Sequence, residues 1–367
     1  MQEDFHYYAT YCASYLAGYD HEESMAIAYS SQFVDLCSAT LLKKIKAPVN
    51  AATTQLQLEL MDSRTDLVGL HNITRIWSSF HFLPADLNAP IKAGKRYRNK
   101  YRLICGPNGE LLKKTVELAK GKGPQAAGIA MHILADTWAH RYFAGTPSLV
   151  INNTNYYFYE LTGEGDETKE QLIEFRHSPS APDDLENGKY TNSVFQGSEN
   201  NVMNLGHGRA GHLPDYCFMR YKYMPSWGNY AEVVKDNPSD YMHAFCQMVY
   251  ALRYLRGEIS EFKTDTYDKN TAIKHVKEIK SILTKRQLSA SADWKAFGEK
   301  LSGRTIDDYD IDKYQLEYID APEEEKAQTF LGRFTEAAIA QKGMVTNAIY
   351  TSGNRLAGIS VEVKSND

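Results

Sequence analysis

His132, Asp136 and His140 lie four residues apart in the stretch AAGIAMHILADTWAHRYFAG. On a helix, positions i, i+4 and i+8 send all three side chains out along nearly one stripe. Their neighbours Ile129, Ile133, Leu134, Trp138 and Phe143 are apolar. The stripe therefore enters a dry setting where unpaired polar groups are costly and a shared cation would satisfy all three. Surface hydrogen bonding accounts for any one such histidine, but the triple reads as a metal site. His6 in DFHYY, Asp35 in SQFVD, His81 in FHFLPAD, and His212 with Asp215 in GHLPD have similar apolar or aromatic neighbours. Taken singly, each is as well explained by ordinary burial as by ligation. Imidazole nitrogens with carboxylate oxygens suit zinc best, and iron or manganese is compatible with the carboxylates.

The elements that must position these groups are mostly helical. Residues 4–18 and 21–42 read as two helices broken at Gly18, the second opening on the capping box Asp20/Glu23. Residues 54–77 fit either a strand or a helix, and Pro124 opens a long helix over 124–144 that stops at Gly145. Residues 146–230 turn to Asn, Gly, Pro, Ser and Tyr with weak periodicity, which predicts long irregular excursions of the kind that line sites. Four more helices follow, at 238–257, 268–286, 291–302 and 321–350. The expected fold is mainly all-α, a multi-helical bundle with long excursions. Residues 1–257 would form the metal-binding core with its insertion at about 146–230, and 258–367 a C-terminal helical extension packed on it.

Composition excludes other classes. A net charge of −5 carries no whole-chain signature of nucleic-acid binding. The start MQEDFHYYATYC has no basic segment before an apolar run, and no apolar stretch is long enough to cross a bilayer, so a cytoplasmic location is expected, with signal-free secretion as the alternative. The five cysteines are scattered with no CxxC pair and are expected to be reduced and buried. There is no GxSxG elbow. Gly206–Gly211 satisfies GxGxxG but lacks the flanking strand and helix of a dinucleotide site. Its His207 reads as a loop hydrogen-bonding residue, with ligation in place of His212 as the alternative. The run Lys92 to Arg102, with Arg96, Arg98 and Tyr97 at its centre, reads as a solvated basic face that could alternatively hold an anionic head group or a single strand.

The order His6, Asp35, His81 within HFLPAD, then HxxxD at His132 and Asp136, resembles the zinc-dependent phospholipase C and single-strand-specific nuclease superfamily. It is more similar still to an uncharacterised bacterial group that begins with DFHYY and carries GHGxxGHLPD. The resemblance covers about residues 1–220. It implies Asp35, His81, His132 and Asp136 around one metal, His6 on a neighbouring one, and His140, His212 and Asp215 on another, with two or three zinc ions in all. In the superfamily the mature N-terminus also binds metal. Met1 stands only five residues before His6, so either Asp4 substitutes for that ligand or the metal it would hold is missing. This sequence departs from the pattern in placing the third helix histidine two residues early and in ending on HxxD rather than HxxxE.

The implied function is phospholipase-C-like hydrolysis of a phosphoric ester by metal-activated water, with Asp35 as base or bridging ligand. The implied substrate is a lipid head group, or single-stranded nucleic acid if the same site serves as a nuclease. The rival of another class is a non-catalytic, metal-stabilised structural or effector protein with a protein partner.

Overall fold

The computed structural model describes residues 1–63, 67–85, 87, 103–155, 157–163, 165–176, 182–192, 206–268, 272 and 274–353. The fold is mainly α-helical. A π-helix, Asp4–Ala9, runs directly into α1, Thr10–Leu16. Helix α2, His21–Phe33, starts on the expected capping box, with the Asp20 side chain accepting from the Glu23 N–H and the Glu23 side chain from the Asp20 N–H. It ends sooner than the expected 21–42 span, because the chain turns after Phe33 and restarts at Ser38, whose hydroxyl caps α3, Ala39–Lys44. Asp35 therefore lies in a turn. The ambiguous 54–77 stretch is helical, as α4, Gln57–Ser63, and α5, Leu67–Phe80. Helix α6, Glu110–Ala119, is not expected from the sequence.

Helix α7, Gly123–Ala139, is the centre of the molecule, and every residue from Gln125 to Ala139 is buried. Such a helix must be surrounded, and α2, α5, α6 and the later helices α10, Asn237–Leu255, and α14, Phe330–Thr351, all pack on it. Burying each of its Ile, Leu and Met side chains contributes roughly 1.5–3 kcal/mol. It stops short of Gly145, because His140 is already the C-cap and Tyr142 adopts φ +81°.

Within 146–236 lie a one-turn helix α8, Leu149–Asn152, and strands β1, Tyr159–Thr162, and β2, Lys169–Leu172. Strands β3, Glu174–Arg176, and β4, Lys189–Thr191, form a parallel pair. Helix α9, His207–Ala210, and strands β5, Arg220–Tyr223, and β6, Val233–Asp236, complete the segment. The order β2-β1-β5-β6 is an antiparallel sheet, with Tyr221 opposite Lys235. The excursions are thus built around their own small core of Phe143, Phe158, Tyr190, Tyr221 and Tyr223.

Helices α11, Val276–Thr284, α12, Ser291–Ser302, and α13, Gln315–Asp320, precede α14. The C-terminal third shares the main core with the first helices. Trp294 meets Phe5 edge-on at 5.9 Å, and Phe334 meets Phe33 at 4.9 Å. Among the described residues no helix is long and apolar enough to cross a membrane.

One residue sets the approach of α2 to α7. A Cβ on Gly128 would sit 2.4 Å from the Ile27 carbonyl oxygen and 2.5 Å from Ser30 Cβ. Gly128→Ala must push the helices apart, and overpacking of this kind costs about 1–3 kcal/mol. Chemical denaturation of the variant is expected to show that loss, and an unchanged midpoint would refute the tight-approach account.

Candidate metal centre

The close α2–α7 contact places the Ser31 carbonyl 2.9 Å from His132 Nδ1. A carbonyl oxygen only accepts, so Nδ1 carries the proton and Nε2 is a bare lone pair in the neutral ring. The same logic applies to His81, whose Nε2 lies 3.0 Å from Thr53 O, and to His140, whose Nδ1 lies 2.8 Å from His81 O. The second nitrogen of each ring faces inward. His81 Nδ1 and His132 Nε2 lie 3.2 Å apart, and each is 3.2 Å from Asp136 Oδ2. Two lone pairs and a carboxylate oxygen at this spacing repel unless a proton or a cation sits among them.

His6 gives an independent sign. It is fully buried, its ring stacks on His132 at 3.7 Å, and neither ring nitrogen has a partner in hydrogen-bonding geometry. Its Nε2 points toward Asp136 Oδ1 at 3.2 Å and Asp35 Oδ2 at 3.9 Å. A buried imidazole without hydrogen bonds is expensive, and a cation between it and the carboxylates removes the cost. The π-helix that carries it is a form that recurs at functional sites.

Three groups could hold metal ions: His6, Asp35 and His132; His81, His132 and Asp136; and His140, His207 and Asp215. In the last, Asp215 Oδ1 lies 3.3 Å from His140 Nε2 and 3.4 Å from His207 Nε2, and His207 Nε2 is another buried atom without a hydrogen-bond partner. Phe82, the residue after His81, stacks on His140 at 4.8 Å and holds its ring.

The geometry departs from the sequence reading in three places. His207 takes the position expected of His212. Gly206 and Gly211, at φ +51° and +58°, turn the chain sharply on either side of α9, leaving the His212 side chain 55% exposed with Nδ1 3.9 Å from Asp215. Asp4 is absent from the three groups, since its Oδ2 accepts the Ala290 N–H at 2.9 Å, and burial pushes its carboxyl up to about 6. The Met1 amino group, for all its closeness in sequence to His6, reaches the centre in place of Asp4. It lies 3.1 Å from Asp136 Oδ1, 3.2 Å from Asp215 Oδ1 and 3.3 Å from His140 Nε2. The Gln2 carbonyl accepts from the Phe5 and His6 N–H groups, folding the chain back over the π-helix. Only the superfamily resemblance gives any signal for this. Arg96, Tyr97 and Arg98 lie outside the described residues.

Burial and mutual charge set the ionisation of these groups. Burial pushes His6 down to about 4, and burial outweighs the pull of Asp136 to bring His140 to about 4. Burial opposes ionisation of Asp136 and Asp215. The surrounding imidazoles and the amino group more than offset it and hold both carboxyls well below their ordinary range. Burial would lower the Met1 amine, yet Asp136, Asp215 and Asp35 raise it to about 11.

Two outcomes are expected. His207→Ala removes or weakens one bound ion, read by metal analysis of the loaded protein, while His212→Ala leaves the content unchanged; the reverse pattern would overturn the His207 assignment. For the metal-free protein, folded His6 and His140 near 4 against an ordinary 6.5 contribute stability that is full above pH 6.5 and lost as pH falls toward 4. The amine, raised from 8.0 to about 11, contributes stability that is full below pH 8 and lost as pH rises toward 11. Thermal unfolding after chelation should peak between these limits, and a melting temperature that keeps climbing below pH 5 would contradict the buried-histidine picture.

No curated protein and no solved structure gives a match to the chain. The family described as "Family of unknown function (DUF6765)" matches residues 1–349, a span that takes in every candidate ligand and nearly all of α14. The chain belongs to that family.

Proposed function

We propose that the chain is a metal-dependent hydrolase of phosphoric esters, phospholipase-C-like, with zinc as its metal. The observation that supports this reading is the convergence of bare imidazole lone pairs and carboxylate oxygens into three adjoining groups that crowd around Asp136, two of them sharing His132. Zinc suits such a nitrogen and oxygen set, and residues that hold several ions close together are the usual means of displacing an ester at phosphorus. When bound, the ions would supply Lewis acidity, making water acidic near neutral pH and drawing charge from phosphoryl oxygens.

The chain's own residues divide the remaining work. Asp136, 1% exposed, is held by four histidines and the Met1 amine and is a structural ligand closed to solvent. Asp35 is different: its side chain is 30% exposed, and its oxygens lie 3.7 to 3.9 Å from His6, His81 and His132. It is the carboxylate that an entering water meets, and it is placed to take that water's proton. His207, 24% exposed, marks the other open side. Phe82 and Phe143 flank this histidine, at 5.8 and 5.6 Å, and keep the imidazoles out of bulk water.

The test is hydrolysis by zinc-loaded protein of a generic phosphodiester, a choline-type phospholipid analogue and single-stranded nucleic acid, side by side. Activity on one of them is expected. Asp35→Asn should lose about 10²–10⁴-fold in kcat while the His81, His132 and Asp136 group and the His140, His207 and Asp215 group keep their ions, and His132→Ala should lose metal and activity together. If the loaded protein cleaves none of the three, the hydrolase reading gives way to a metal-stabilised structural protein.

A further inference from the structure

The His140, His207 and Asp215 group is assembled from two parts of the chain that do not pack on each other through ligands alone. His140 caps α7, while Asp215 sits in the loop after α9. Between them runs the junction of β6 and α10, and three of its buried side chains reach out to both sides.

Lys235, 1% exposed, donates from Nζ to the Trp138 carbonyl at 2.8 Å, two residues before His140, and pairs with Asp240. A buried ammonium is costly. Here the Trp138 carbonyl at the end of α7, which otherwise accepts only the long Arg141 N–H contact at 3.4 Å, and the Asp240 carboxylate offset that cost. Asn237, with no exposed surface, donates from Nδ2 to the Leu213 and Tyr216 carbonyls at 2.8 Å each, bracketing Asp215. Tyr241, also fully buried, donates its hydroxyl toward the Pro214 and Asp215 carbonyls at 3.1 and 3.0 Å, and its ring meets Phe5 edge-on at 4.9 Å. None of the three belongs to a candidate ligand group. They satisfy backbone carbonyls on both sides of one gap, so the β6–α10 junction fixes the distance from His140 to Asp215.

We infer that Lys235, Asn237 and Tyr241 are positioning residues that tune the metal affinity of the His140, His207 and Asp215 group while leaving the two groups around His132 untouched. The inference rests on the metal-centre reading of these side chains and not on hydrolysis. Partners of this kind, one shell out from a metal, are worth about 10–100-fold in affinity.

The experiment is titration of metal-free protein with zinc against a chromophoric chelator, with ion stoichiometry read by native mass spectrometry. Tyr241→Phe keeps the ring and its packing and removes only the hydroxyl, so it guards against misfolding. Asn237→Ala and Lys235→Met remove the other two contacts. Each is expected to weaken a single class of ion about 10–100-fold, to add nothing further in a His207→Ala background, and to keep its full effect in a His132→Ala background. Uniform weakening of every class, no change in any, or a loss that adds to that of His207→Ala overturns the inference. Because no turnover is measured, a protein that binds zinc as expected but hydrolyses nothing sinks the proposed function and leaves this inference standing.

Discussion

The structure depends on one carboxylate. Asp136 is buried in the last turn of the most enclosed helix of the molecule, with imidazoles and an amino group within 3.5 Å of its two oxygens. An ionised carboxylate in such a place is tolerable only where positive charge and donors close around it. Nearly every local feature of the centre serves that closure. The N-terminal residues fold back to bring in an amine, a π-helix brings in His6, and a glycine lets α2 lie close enough for Ser31 to hold the ring of His132. Where a backbone carbonyl takes the proton of one ring nitrogen of His81, His132 or His140, the other nitrogen turns to Asp136 and its neighbours, and the set needs a shared proton or cation.

Much of this is legible in the sequence, for a physical reason. Polar side chains that share one stripe of a regular helix must appear at its period, so His132 and Asp136 stand out among Ile and Leu. The buried aromatic company of His6 and His81 marks them by the same contrast. The mainly helical fold follows from the same periodicity, and the Asp20 capping box and Pro124 behave as local chemistry dictates. The differences fall where tertiary geometry overrides local pattern. Nothing in GHGRAGHLPD says which of two histidines five residues apart turns inward. That is decided by two left-handed glycines and the space they meet, Gly206 against the Asn152 side chain and Gly211 against the Thr191 carbonyl. Helix α7 ends earlier than its periodicity suggests because Tyr142, an aromatic residue, carries no sequence signal for positive φ.

The segment after α7 and the C-terminal helices support the centre in different ways. The excursions at 146–236 own a compact core and a sheet, so they behave as a built unit that delivers Asp215 and His207. The C-terminal helices belong to the main core. Gln341 on α14 donates to the Ser79 carbonyl two residues before His81, and Tyr7 and Tyr8, next to His6, give their hydroxyls to Asp307 and Asp308. Periodicity locates these helices without revealing what they cover, because each has only an ordinary amphipathic face and the partner face is hundreds of residues away.

That distance has a kinetic consequence. The Asp4 carboxylate holds the Ala290 N–H across 286 positions of chain, and the ring of Phe5 completes its packing only against Trp294. Contacts between the two ends of a chain carry a large loop-closure entropy and form late. As the polypeptide emerges during synthesis, its first turns must therefore wait, with aromatic surface uncovered, until the last third has followed. The packing around His6 is thus among the final parts of the protein to take shape.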